Sequence, residues 1–223
     1  MVVNPDGRKE RWRAHRVQRR AELIAAAIDA VRAGGAGVGM DGIAAASGIA
    51  KPVFYRYFAD KADLFLAIGQ VLAEGVVRDV TDAIDRETEP RRMLAAGIDA
   101  YLRGIEAEPE LYRFVVRQPS GGALADPVRD YATVVGLHAA RRVHELLRQV
   151  GQDAGAAEPW GFGLVGLVRA AADRWLDQQS MSRAALADYL TTMAWDGLAA
   201  TAVQGVVSDA TGSAPRARPG RRA

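Results

Sequence analysis

Cysteine is absent from the 223-residue sequence. Its absence excludes disulfides, thiolate zinc sites and cysteine nucleophiles, and it is typical of a protein that works in a reducing cytoplasm. Long apolar runs are also missing, since none reaches the ~18 residues that a membrane span needs. The first residues, MVVNPDGRKERWRAHR, carry no apolar stretch after their charges. We therefore expect no secretory signal there and predict a cytoplasmic protein without a membrane partner.

Charges of opposite sign are separated along the chain. Residues 1–20 hold seven basic and two acidic residues, a net charge of +5, and residues 209–223 carry +3. Because the whole chain has a net charge of +2, residues 21–208 carry −6. An acidic body with basic ends indicates an electrostatic partner for the ends, and a polyanion such as DNA is the simplest one.

Strand patterns are rare, whereas apolar residues recur at three- and four-residue spacing almost throughout. The sequence therefore predicts an all-α fold. Glycines end the first helix and separate the short ones, and prolines open several of the later ones. The predicted helices span 16–33, 40–47, a short segment from about 51, 60–85, 90–107, 109 to just before Pro119, 127–150, 159–178 and 182–206.

Residues 41–64, DGIAAASGIAKPVFYRYFADKADL, carry the strongest functional pattern. Gly48 permits the left-handed backbone of a tight turn between two short helices. Val53 or Phe54, together with Phe58, is predicted to pack into the core. The side chains left facing away from it are Lys51, Tyr55, Arg56 and Tyr57. A short helix with cations and aromatic hydroxyls on its exposed side fits the DNA major groove. Lys61, placed unfavourably for the dipole of the next helix, indicates a nearby phosphate.

This run resembles the helix-turn-helix signature of the TetR family of bacterial repressors, whose Y-x-x-F-x-x-K-x-x-L core matches Tyr55, Phe58, Lys61 and Leu64. The resemblance implies three DNA-binding helices, six more for ligand and dimer, and a homodimer that a small-molecule effector releases from its DNA operator. We accordingly divide the chain into a basic N-terminal arm (1–15), a helix-turn-helix domain (16–62), a ligand-binding and dimerisation domain (63–206) and a disordered tail (207–223).

The resemblance also assigns residues to DNA contacts. It places Lys51, Pro52, Val53 and Tyr55 near base edges, and Tyr57 and Lys61 at phosphates. Two positions depart from the family pattern. Gly39 stands where a threonine usually caps the helix and touches phosphate, and Asp41 stands where a basic or neutral polar residue is common. Both departures weaken the expected hold on phosphate at that end of the motif.

The basic arm is a separate candidate for DNA contact. Lys9, Arg13, Arg16 and Arg20 form one stripe if the first helix extends backwards. Charged stripes are usually solvated surfaces, but this one leads directly into the predicted DNA-binding helices. We therefore favour contact of Arg13, Arg16 and Arg20 with the DNA backbone.

The C-terminal segments GLVGLVRAAADRWLDQ and LADYLTTMAWDGL are similar to the dimerising helix pair of the family. The predicted dimer interface consists of Leu164, Val168, Ala171, Trp175, Leu186, Leu190, Met193 and Gly197. Burial of these residues inside one chain is the alternative. For the effector, few buried-looking polar groups occur in the central helices, which favours an apolar, lipid-like compound. The candidate ligand residues are Tyr101, Ile105, Phe114, Arg117, Leu137 and Trp175.

Two other function classes compete with a DNA-binding regulator. The glycine patterns GVGMDG and GFGLVG match a dinucleotide fingerprint, but neither follows a predicted strand. We predict that the second lies inside a helix, where its glycines let another helix approach. Since no nucleophile is paired with a base, we predict neither an enzyme nor a cofactor or metal. A helical ligand-binding dimer without sequence-specific DNA binding remains the alternative to a transcriptional repressor.

Overall fold

Helices account for nearly all of the backbone in the computed structural model, which describes residues 5–117, 127–149 and 151–212. Within these residues there is no strand, and the predicted all-α fold is confirmed. In chain order the helices are α1 (Pro5–Gly34), α2 (Met40–Ser47), α3 (Lys51–Tyr55), α4 (Lys61–Asp85), α5 (Pro90–Ala107), α6 (Pro109–Arg117), α7 (Pro127–Gln149), α8 (Ala157–Gln178) and α9 (Arg183–Gly212).

Local chemistry sets most helix ends where the sequence predicted them. Pro90 and Pro109 are the first residues of α5 and α6. Asp60 precedes α4, and its Oδ1 accepts a hydrogen bond from the backbone N–H of Asp63 at 2.9 Å, as a cap does. At the C-terminal end of α1, Gly35 adopts a φ of +78°, a backbone conformation that favours glycine.

Two helix ends differ from the prediction by more than two residues. Helix α1 begins at Pro5 rather than at residue 16, so the basic arm is helical from that point. Helix α9 continues to Gly212, so the prediction that disorder begins at residue 207 is wrong for 207–212. No proline precedes Pro215 in this stretch, and nothing there stops the helix from propagating. Residues 213–223 of the predicted tail lie outside the described part of the chain.

The chain divides into two compact units. Unit 1 comprises Met1–Val80 and Ala100–Val134, and unit 2 comprises Thr81–Asp99 and Val135–Ala223. The buried core of unit 1 joins α1, α2, α3, α4 and α6. Its members include the apolar face of α1, which consists of Leu23, Ile24, Ala27, Ile28 and Val31. The predicted functional boundary at residues 62–63 is a different division and stays a prediction.

Close packing of α7 against α8 organises unit 2. A Cβ atom built on Gly161 would lie 2.6 Å from the backbone N of Ala140 and 2.6 Å from the carbonyl oxygen of Gly136. Only glycine at position 161 permits this approach, because such distances are shorter than van der Waals contact. The prediction that glycine in this helix lets another helix approach is therefore confirmed for Gly161, with α7 of the same chain as the neighbour.

Ion pairs tie the other elements of unit 2 together. The Arg142 guanidinium donates to Asp85 Oδ1 at 2.6 Å and, with His138, holds the pKa of the Asp85 carboxyl below its ordinary value. Arg183, the first residue of α9, pairs with Asp99 of α5. Among the residues that the structure describes, no helix is long and apolar enough to cross a membrane.

Candidate nucleic-acid interface

A tight turn joins α2 to α3 and fixes the direction of the second helix. Gly48 has a φ of +65° and its N–H bonds to the carbonyl of Ala45. The Ser47 hydroxyl accepts a hydrogen bond from the N–H of Ile49 at 3.3 Å. Glycine at position 48 is required by this left-handed conformation, as the sequence predicted.

Helix α3 has a buried base and an exposed outer face. Phe54 and Phe58 are 0% and 2% exposed, so the prediction that Val53 or Phe54 enters the core together with Phe58 is confirmed, with Phe54 as the buried residue. Tyr55 is 45% exposed, and Pro52 and Arg56 are also exposed. Lys51 and Val53 are half-buried. The anchored helix therefore presents a phenol, a guanidinium and an ammonium on one short segment.

Lys51, the first residue of α3, is paired with Asp41 in the first turn of α2. The Lys51 Nζ and Asp41 Oδ1 atoms lie 2.7 Å apart. This hydrogen bond raises the pKa of Lys51 above its ordinary value. The departure at Asp41 that the sequence showed thus acts directly on a predicted base-contacting residue.

The two predicted phosphate contacts both follow this helix in the chain. Tyr57 is half-buried, and Lys61 is exposed at the start of α4 with its Nζ 4.8 Å from the centre of the Phe65 ring. Gly39, the other departure, is the N-cap of α2 and makes no side-chain cap. The N-cap side chain therefore satisfies none of the N–H groups at the start of α2.

The basic arm reaches the same surface as a continuation of α1. The Arg16 guanidinium lies 5.9 Å from the centre of the Trp12 ring and 6.0 Å from that of Tyr57. Arg20 stacks over Phe58 at 4.7 Å and pairs with Asp63 at 3.4 Å. Lys9 and Arg13 are exposed. Because α1 extends back to Pro5, the four cations form the predicted stripe. We call residues 23–68 the head. Arg16 joins the stripe to this head through its contact with Tyr57.

Helix α6 packs into this head, a connection that sequence reasoning missed. Glu110 Oε2 accepts the backbone N–H of Ala36 at 2.8 Å, and Glu108 pairs with Arg32 at 2.8 Å. Phe114 is fully buried and meets Phe65 edge-on with ring centres 4.7 Å apart. The sequence predicted the helix itself and offered Phe114 as a ligand residue, but the pattern of one helix does not say which other helices cover it.

The predicted ligand residues fall in both units. In unit 1, Ile105 and Phe114 are buried, and the Tyr101 and Tyr112 hydroxyls lie 3.2 Å apart. In unit 2, Trp175 is 5% exposed and donates its indole N–H to the carbonyl of Met181. Leu137 is 48% exposed and lines an open cavity of about 460 Å³ between α7 and the start of α8. The side chain of Arg117 lies outside the described residues.

The predicted interface residues divide between the inside and the outside of one chain. Val168, Trp175, Leu186 and Leu190 are buried in unit 2, Leu164 and Ala171 are half-buried, and Met193 and Gly197 are exposed. Met193 is 65% exposed, and Tyr189, four residues earlier, is 64% exposed. The outward surface of α9 thus carries large apolar side chains.

Two family models cover most of the chain. Residues 23–68 match "Bacterial regulatory proteins, tetR family", and residues 79–210 match "Tetracyclin repressor-like, C-terminal domain". The chain belongs to the TetR family of bacterial transcriptional regulators. The resemblance that the motif indicated is therefore confirmed. Members of this family are transcriptional regulators rather than enzymes. The basic arm before residue 23 precedes both matched segments.

Relatives and solved structures agree with this membership. An uncharacterized HTH-type transcriptional regulator of Mycobacterium tuberculosis is 36% identical over 89% of this chain and 85% of its own. The HTH-type transcriptional activator FasR of Mycolicibacterium smegmatis is 29% identical over 86% and 88%. A TetR-like regulator from Rhodococcus sp. RHA1 has a TM-score of 0.63 at 27% identity, covering 81% and 96%. FadR from Bacillus subtilis, solved with stearoyl-CoA, has a TM-score of 0.64 at 15% identity, covering 78% and 96%.

Proposed function

We propose that the protein is a homodimer that binds an inverted-repeat operator and releases it when a mainly apolar small molecule binds. The observation that carries the DNA part is the outer face of α3, where Tyr55 and Arg56 are exposed above the buried Phe54. A twofold dimer would present two such helices to related half-sites in successive major grooves. A bacterial regulator of this kind works in the cytoplasm.

Within the head, we assign base contacts and phosphate contacts to different residues. Lys51, Pro52, Val53 and Tyr55 approach base edges, while Tyr57 and Lys61 hold phosphates. Arg56, Arg13 and Arg16 add exposed positive charge. Arg20 pairs with Asp63 and stacks over Phe58, so it anchors the basic arm to the head and also adds positive charge.

Footprinting and titration test the DNA proposal. Tyr55→Ala should weaken operator binding by about 1–3 kcal/mol with little effect on unrelated DNA, because a base contact is lost. Lys61→Ala should weaken all sequences alike and flatten the salt dependence, because a phosphate contact is lost. Arg86→Ala, at an arginine that is 76% exposed in unit 2, is the control. A protected site without dyad symmetry would contradict the proposal.

The dimer is proposed to form through α8 and α9 as a four-helix bundle. The exposed part of the predicted interface, Met193 and Gly197, lies beside Tyr189 on the outward side of α9. The buried part, which includes Val168 and Leu190, supports these helices from within the chain. Met193→Glu should shift the protein to monomers in sedimentation while leaving its helix content unchanged. A dimer that persists at micromolar concentration would contradict this interface.

The effector is proposed to be an acyl or other lipid-like compound bound within residues 95–180. FadR from Bacillus subtilis, which shares this fold, was solved in complex with stearoyl-CoA, and this supports the proposal. Effectors act only through their differential affinity for the free and DNA-bound forms, so tight binding alone is insufficient. Operator release by fatty acids and acyl thioesters is the test. Release by a polar metabolite alone would contradict the assignment.

We propose repression as the sign of regulation, because a dimer on an operator that overlaps a promoter excludes RNA polymerase. The relative FasR is described as an activator, so the sign needs its own experiment. A reporter fused to the bound promoter should gain expression when this protein is removed. A loss of expression would make the protein an activator.

A further inference from the structure

Asp41 places a negative charge on the surface that is proposed to face DNA. Its side chain is 88% exposed, and its Oδ1 lies 2.7 Å from the Nζ of Lys51, which is 40% exposed. The pair joins the first turn of α2 to the first residue of α3. The dipole of α2 favours the carboxylate at this position, whereas the dipole of α3 disfavours the ammonium. Asp41 therefore compensates the unfavourable positive charge of Lys51 at the start of α3.

The pair affects base contacts and phosphate contacts differently. An ammonium group carries three N–H donors, and Asp41 occupies one of them. The remaining donors suffice for the O6 and N7 acceptors of guanine in the major groove, and the carboxylate itself can accept from the amino group of cytosine. A phosphate approaching Lys51 instead meets the negative charge of Asp41. Lys51 can therefore contact a base with its partner in place, whereas the charge of Asp41 repels a phosphate that approaches the same ammonium group.

We propose that Asp41 is a specificity-determining residue that lowers the affinity of the protein for non-operator DNA more than its affinity for the operator. This inference rests on the proposed DNA-binding function and concerns the same surface. Non-operator binding relies on phosphate contacts, so withholding Lys51 from phosphates weakens it. Operator binding relies on base contacts as well, and Lys51 can make these contacts while it stays paired with Asp41.

The expected effect is a few-fold change, because exposed ion pairs are weak. Asp41→Asn frees Lys51 for one additional phosphate contact, which steepens the slope of log affinity against log salt by about 0.9. The gain in non-operator affinity should therefore be about threefold larger at 50 mM than at 200 mM salt. We expect a gain of about 3–10-fold for a scrambled duplex at the lower salt and less than twofold for the operator.

The experiment begins with the wild-type protein and a random duplex library, from which the operator is selected. Dissociation constants for this operator and a scrambled duplex are then measured for wild type, Asp41→Asn and Asp41→Glu. Asp82→Asn is the matched control, because it removes the same charge from an exposed pair in unit 2. Asp41→Glu keeps the charge and should keep most of the discrimination. Melting temperatures verify that each variant is folded.

Lys51→Met provides the second arm of the test. If Asp41 acts through Lys51, the gain produced by Asp41→Asn should disappear in the Lys51→Met background. A gain that persists there, or an equal change for operator and scrambled DNA, would overturn the inference alone. A wild-type protein that selects no sequence would overturn the proposed function and the inference with it.

Discussion

Gly39 departs from the family pattern, and we expect this departure to lower the stability of the protein. It is the N-cap of α2 with a φ of −99° and a ψ of −179°, and no atom lies within 4 Å of a Cβ built there. Gly39→Ser should therefore add a capping hydroxyl without strain and restrict the unfolded chain. We expect the free energy of unfolding to rise by about 0.5–1 kcal/mol in thermal or urea denaturation.

Gly42→Ser is the matched control for this change. A Cβ at position 42 would lie 2.5 Å from the Cγ2 atom of Val38, so the same substitution should lower the stability. Equal effects of the two variants would contradict the argument from capping and space. In DNA binding, Gly39→Ser should also gain affinity, since the hydroxyl lies where family members touch phosphate.

Helices α7 and α8 depend on a backbone contact that only one glycine allows. Gly161→Ala places a methyl group 2.6 Å from backbone atoms of α7, and backbone cannot yield as a flexible side chain does. We expect the free energy of unfolding to fall by about 1–3 kcal/mol. Gly75→Ala in α4 is the control, because its Cβ would meet only the Arg78 guanidinium at 4.0 Å. That control should raise the stability by about 0.5–1 kcal/mol.

The helical arm is the element whose function the charge pattern predicted most directly. Residues 9–14 are exposed, so deleting residues 1–14 should leave the melting temperature nearly unchanged. It removes Lys9 and Arg13 and takes Trp12 away from Arg16. The slope of log affinity against log salt should become shallower by about 0.9 for each lost phosphate contact. An unchanged slope in the truncated protein would make the arm a solvated surface.

For the whole molecule, the attachment of α6 to the head offers a route by which the proposed effector binding would be coupled to the proposed DNA binding. Glu110 holds the Ala36 N–H at 2.8 Å and lies on the same helix as the buried Phe114. Glu110→Gln weakens the acceptor while keeping its shape. We expect operator affinity to change little and the concentration of the proposed lipid-like effector that releases half of the operator to rise severalfold.

The control for this prediction is Glu87→Gln, which removes the same charge just after the end of α4. It should leave both the operator affinity and the release concentration unchanged. An unchanged release concentration for Glu110→Gln as well would mean that coupling does not pass through this hydrogen bond.

The sequence by itself determined the all-α fold, most helix ends and the orientation of α3. These depend on local rules: apolar spacing, proline at helix starts, glycine at left-handed turns and the capping carboxylate of Asp60. The burial of Phe58 followed from the same spacing, which left Val53 or Phe54 open, and Phe54 is the buried one. The start of α1 was missed although Pro5 satisfies the same rule, and the end of α9 was missed because no proline precedes Pro215 to mark it.

Only the tertiary structure decided which surfaces meet. Phe114 looked like a ligand contact in the sequence, yet it lies in the core beside Phe65. Asp41 looked like a weakened phosphate contact, yet it pairs with Lys51 from the next helix. Amphipathic spacing shows that a helix has a face to bury or a charge to place, but it is a property of one segment. The partner is chosen by the path of the whole chain, which brings together residues that are distant in sequence.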